Sequence, residues 1–123
     1  MLRTGRSHDR AGRLDDAAAA YEQAIRLAEQ SGERAVLVEA LRRQGVVHHR
    51  RNEPVEAQRL CERSYEAALE LEDRTLAGEA LNALAGFNIQ AGEIASARAT
   101  FLDALALATG DRKSTRLNSS HAD

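Results

Sequence analysis

A period of forty residues constrains this chain more than any other property. Glu39-Ala40-Leu41 recurs as Glu79-Ala80-Leu81. Seven further columns stay chemically similar in three registers without a gap. They are Gly5/Gly45/Ala85, Gly12/Asn52/Gly92, Leu14/Pro54/Ile94, Ala17/Ala57/Ala97, Tyr21/Cys61/Phe101, Ala24/Ser64/Ala104 and Ala28/Ala68/Ala108. A fixed period of this length is the signature of stacked supersecondary units. Each column has a physical meaning. Gly and Asn tolerate best the left-handed conformation that ends a helix, so Gly12, Asn52 and Gly92 mark helix ends. Pro54 falls at the first position of the next helix, where its missing N–H costs nothing. Asp15 and Asp16 sit in the first turn of the corresponding earlier helix, favourable to its dipole. The small residues Gly45, Ala57 and Ala85 let two helices approach closely. Tyr21, Cys61 and Phe101 are expected to fill the space between paired helices.

Composition agrees with helix. The chain holds 24 Ala, 16 Arg, 15 Leu and 12 Glu, against one Pro, two Tyr, two Phe and no Trp. Those common residues lose least on entering a helix, and β-branched and aromatic residues are too few for a sheet. The periodicity predicts helices over about 1–11, 14–30, 34–50, 54–71, 75–90 and 94–108, paired as hairpins. Polar turns at Gln30-Ser31-Gly32-Glu33 and Glu72-Asp73 join the pairs. In the last helix Ile94, Ala97, Phe101, Ala104, Leu105 and Ala108 recur at helical spacing. The repeats run about 1–32, 33–73 and 74–110.

Gly12-Arg13-Leu14-Asp15-Asp16-Ala17, with Tyr21 and Ala24, resembles the second helix of a tetratricopeptide repeat. Gly92-Glu93-Ile94 through Ala97, Phe101 and Ala104 resembles another, and Asn52-Glu53-Pro54 through Ala57, Cys61 and Ser64 a degenerate copy. The likeness covers about residues 1–108. The family's usual repeat is about 34 residues; the longer period here is similar to the repeats of bacterial signalling proteins and large transcriptional regulators. Leu41 and Leu81 stand where the family often has a large aromatic. The resemblance implies an all-α, right-handed α-solenoid of stacked antiparallel helix pairs, about two and a half to three repeats. It also implies a non-catalytic module that binds a protein segment in the groove lined by the first helix of each repeat.

By that geometry the groove takes Arg3, Arg6 and Arg10 from the first helix. It takes Glu39, Arg42, Arg43, Val46, His49 and Arg50 from the third, and Glu79, Asn82, Ala83, Gly86 and Ile89 from the fifth. Arg3, Arg6 and Arg10 share one helical stripe. Guanidinium forks bind carboxylates bidentately, so the expected partner is a protein or peptide with acidic character, its backbone bonded by Asn82. The alternative for the same stripe is a solvated charged face neutralised by Glu39 and its neighbours. One variant of the family clamps a chaperone's C-terminal carboxylate. Leu2, Arg6, Arg43, Glu79 and Ala83 stand at the clamp positions, lacking its Asn residues and reversing one charge, so that ligand does not fit.

Other chemistry finds little support. His48, His49 and Cys61 lack a third or fourth ligand at zinc spacing, so no metal or cofactor is expected. His48 reads as a packing residue and Cys61 as a small hydrophobe. Ser64, His48 and Asp73 exist, but no nucleophile elbow, phosphate loop or catalytic carboxylate pair accompanies them; no enzyme activity is expected. Net charge is −2 with only four aromatics, which argues against nucleic acid. Charge is uneven: residues 1–63 hold twelve arginines against ten acids, residues 64–110 two against seven. No apolar run approaches the roughly 18 residues of a membrane span. No secretory leader is visible at the start, and a lone Cys61 fits a reducing, cytoplasmic setting.

Residues 111–123 break the period. Asp111 to His121 resembles a translated sequencing adapter, so this tail is read as non-native or disordered, and the chain as a fragment of a longer array. Two further readings follow. One is a regulatory segment of a larger bacterial signalling ATPase or transcriptional regulator. The other is self-association through the exposed last helix.

Overall fold

A computed structural model describes residues 13–109. It is all-helical over that span: α1 Leu14–Ser31, α2 Arg34–Arg50, α3 Pro54–Glu70, α4 Arg74–Gln90 and α5 Ile94–Thr109. The helix expected over 1–11, with Arg3, Gly5, Arg6, Arg10 and Gly12, lies outside the described residues, as does the tail at 111–123.

The turns are built alike. Gly32, Asn52, Glu72 and Gly92 all have positive φ, at 76°, 62°, 59° and 80°, and stand twenty residues apart. The residue after each sends its N–H back to a carbonyl five positions earlier: Glu33 to Ala28, Glu53 to His48, Asp73 to Ala68 and Glu93 to Asn88. That bond satisfies orphan carbonyls at a helix end. The same residue then starts the next helix. The N–H groups of Leu37, Ala57, Ala77 and Ala97 donate to the carbonyls of Glu33, Glu53, Asp73 and Glu93. An acid stands at each of these starts, where the helix dipole favours negative charge. Asp73 also caps with its side chain, accepting from the Leu76 N–H at 3.0 Å, whereas Glu33 and Glu53 do not. Sequence patterning located Asn52 and Gly92 as left-handed sites. Glu72 is one too, although its side chain pays a steric cost there that glycine avoids.

Each helix packs on its neighbours in sequence, and α2 also touches α4. Tyr21, Ala17 and Ala18 of α1 pack with Val47 of α2. Ala28, Leu37, Leu41 and Leu60 join α1, α2 and α3. The largest cluster packs Cys61, Tyr65 and Ala68 of α3 against Ala77, Ala80, Leu81 and Leu84 of α4, and takes in Val38 and Leu107. Close approach needs the small residues. A Cβ on Gly45 would lie 2.6 Å from Cys61 Sγ and 3.0 Å from the Ala57 carbonyl oxygen. Two buried polar groups tie neighbouring helices: Ser64 donates to the Val38 carbonyl at 2.7 Å, and Gln44 to the Ala18 carbonyl at 3.0 Å.

The last helix corrects one expectation. Tyr21 and Cys61 are fully buried, but Phe101 is 43% exposed, with Ile94 61% and Leu105 60%. Ala108 is exposed and Ala104 half-buried. The buried side of α5 is Ala97, Thr100, Asp103 and Leu107. The cause is position in the stack. The corresponding residues of α3 are covered by α4, and no described helix covers α5 in the same way.

Candidate interaction cleft

The C-terminal halves of α2 and α4, with the turns that follow them, enclose an open cleft of about 780 Å³. Val46, His49 and Arg50 reach it from α2, and Gly86, Phe87 and Asn88 from α4. Two features shape it. His49 stacks on Phe87, with ring centroids 4.4 Å apart and planes 12° off parallel; the pair bridges the two helices. A Cβ on Gly86 would meet nothing within 4 Å, so the missing side chain leaves open space rather than a close packing contact.

Of the expected groove residues, Val46, His49, Arg50, Ala83 and Gly86 come together here, and Ile89 does not line the cleft. Asn82 is exposed on α4 and does not line the cleft. Glu39, Arg42, Arg43 and Glu79 form a separate charged patch. There Arg43 bonds Glu39 at 3.0 Å, and Arg42 reaches across to Glu79 of α4 at 3.5 Å. Arg42 is held close to the protein, with its side chain 18% exposed. These guanidinium groups thus already have carboxylate partners in the chain.

The cleft also has a lining that the repeat pattern did not point to. Asn52, Val55 and Gln58 come from the α2–α3 turn and α3, and Phe87, Asn88 and Gln90 from α4. One signal was available: Phe87 and Asn88 replace Val47 and His48 of the previous repeat, a change in size and polarity at two adjacent positions. The wall combines apolar Val46, Val55 and Phe87 with side-chain amides, each carrying donors and an acceptor. Glu93 adds one negative charge to the lining.

The remaining chemically capable residues stand apart. Ser64 is bonded to the Val38 carbonyl, Asp73 caps α4, and His48 Nδ1 lies 2.6 Å from Glu53 Oε1 at the end of α2. Cys61 faces the Arg42 carbonyl at 3.7 Å, and burial pushes its thiol up to about 12. Among the described residues no group of three His, Cys, Asp or Glu side chains is placed to hold a metal ion. Among them, too, no helix is long and apolar enough to cross a membrane.

The chain matches no family model, no curated protein and no solved structure.

Proposed function

We propose that these helices are part of a right-handed solenoid of the tetratricopeptide type, and that the chain is a non-catalytic protein-interaction module. Its ligand is an extended peptide segment seated between α2 and α4. The observation that carries this reading is the open cleft at Gly86, walled by His49, Arg50, Phe87 and Asn88. Extended peptides expose backbone donors and acceptors, which side-chain amides can pair, while apolar pockets take alternate side chains. Arg50 adds a guanidinium group, a type that binds carboxylates, to the lining. The acidic preference is narrower than an arginine-lined groove implies, because Arg42 and Arg43 are paired within the chain and Glu93 sits on the rim. The repeated turn geometry and the α2–α4 contact support the stacked arrangement.

The test is a panel of fluorescein-labelled ten-residue peptides, acidic and neutral, titrated against the full chain by anisotropy. Gly86→Trp projects a ring into the cleft from a position where an added Cβ meets nothing within 4 Å, so it should abolish binding while leaving the thermal melt in place. Arg50→Glu should weaken only peptides that carry a carboxylate. Peptides that bind Gly86→Trp as tightly as the unaltered chain, or a panel with no binder, would refute the assignment.

A further inference from the structure

We infer that the peptide seated in the cleft places a basic side chain, lysine or arginine, in a smaller pocket that adjoins it. The inference rests on the cleft reading above and names a side chain which that site selects. The pocket, about 220 Å³, lies where α3 and the start of α5 flank α4. Gln58, Phe87, Asn88 and Glu93 line both cavities, so a chain lying in one can reach the other.

The lining has two parts. Leu84 is buried and Phe87 half-buried, and together they form an apolar wall. The rest is polar: the carboxylates of Glu62 and Glu93, the Ser96 hydroxyl and the amides of Gln58 and Asn88. Among the described residues no arginine, lysine or histidine lines this pocket. A long basic side chain matches both parts, because its methylene stem lies along apolar surface while its charged head stays among polar groups. An acidic side chain would meet like charge there. An aliphatic one would take water from two carboxylates and give them no partner in return.

The two carboxylates also have no cation of their own. Glu22, Glu29, Glu39, Glu56, Glu70 and Glu79 each pair with an arginine. Glu62 accepts from Gln58 Nε2 at 3.1 Å, and among the described residues neither it nor Glu93 pairs with a cation. The repeat supplies the reason. Glu22 stands in the register of Glu62 and pairs with Arg26, but forty residues on from Arg26 stands Glu66. The counter-charge that α1 carries on its own surface is thus missing from α3, and a ligand can bring it.

The probe is the tightest neutral peptide of the panel, remade with lysine and then with norleucine at each position in turn, and titrated into the full chain by anisotropy. At one position lysine should bind about fivefold tighter than norleucine, the upper end for an exposed ion pair. Added salt should shrink that preference. Glu62→Gln should bring it close to unity, and Glu62→Lys should transfer it to glutamate at the same position. A ratio between two peptides on one protein cancels any general effect of the substitution on the cleft. If lysine gains nothing at any position, or if its gain survives Glu62→Gln, the inference is overturned while the cleft reading stands. A panel with no binder overturns the cleft reading and this pocket together.

Discussion

Helices α3 and α5 occupy the same register of the repeat and differ in what surrounds them. α3 lies between α2 and α4, with Leu60, Cys61, Ser64, Tyr65 and Ala68 buried; the rest of its surface is charged, carrying Glu56, Arg59, Glu62, Arg63, Glu66 and Glu70. Among the described helices α5 packs chiefly on α4, and it carries two charges, Arg98 and Asp103. The difference shows that burial in such a stack is assigned by neighbours and not by residue type. Aromatic Phe101 is exposed where the smaller Cys61 is fully buried.

The sharpest way to break this comparison is to truncate matched positions. Tyr65→Ala should cost about 3–5 kcal/mol, as removal of a buried ring does. Leu105→Ala, in the same column, should cost under about 1 kcal/mol, because that side chain already faces water. Urea denaturation measures both. Equal losses would mean that α5 is as covered as α3. Next in size is the seat of Cys61 beneath α2. Gly45→Leu puts a side chain where even a Cβ would stand 2.6 Å from Cys61 Sγ, and should cost about 1–3 kcal/mol through overpacking. An unchanged melting temperature would show that α2 and α3 can separate freely.

A third test asks how dry the α3 interface is. The Cys61 thiol, ordinarily titrating near 9.0, is raised to about 12 by burial. A raised folded-state value contributes stability that is intact below 9.0 and is lost as pH climbs through 12. The loss should run at about 1.4 kcal/mol per pH unit once the unfolded thiol ionises. Cys61→Ala should remove that slope from the difference between the two proteins. A wild-type curve parallel to Cys61→Ala above pH 9 would mean that water reaches the sulfur. The smallest effect concerns the turn after α3. Glu72 holds φ 59° where its register-mate is Gly32. Glu72→Gly should stabilise by about 1 kcal/mol, the cost of a left-handed conformation for a residue with a Cβ. A loss of stability would show that the Glu72 side chain holds the turn.

Much of the fold was legible because the period repeats the reasons for each turn. Asn52, Gly92 and Pro54 each declare a helix boundary by backbone preference alone. Glu72 does not, because its conformation is imposed by the helices on either side and not chosen by its side chain. Phe101 was misplaced on the same ground: a column says what a position would pack against, not whether the packing helix is there. In the cleft, the stripe of α2 was readable from spacing, which gave Val46, His49 and Arg50. The pairing of Arg42 with Glu79 was not, since it depends on how two helices forty residues apart in sequence come to face each other. Phe87 and Asn88 lie at positions where the repeat is broken, and a period cannot predict its own exceptions.

Because each described helix packs chiefly on its sequence neighbours, with smaller contacts between α2 and α4 and between α1 and α3, most native contacts close short loops. Chains with such local contacts fold in microseconds to milliseconds. They also need not open all at once. α5 can detach by losing its packing on α4 while Tyr21, Val47, Leu41 and Tyr65 stay sealed, so amide protons should exchange soonest from the C-terminal hairpin and latest from α2 and α3.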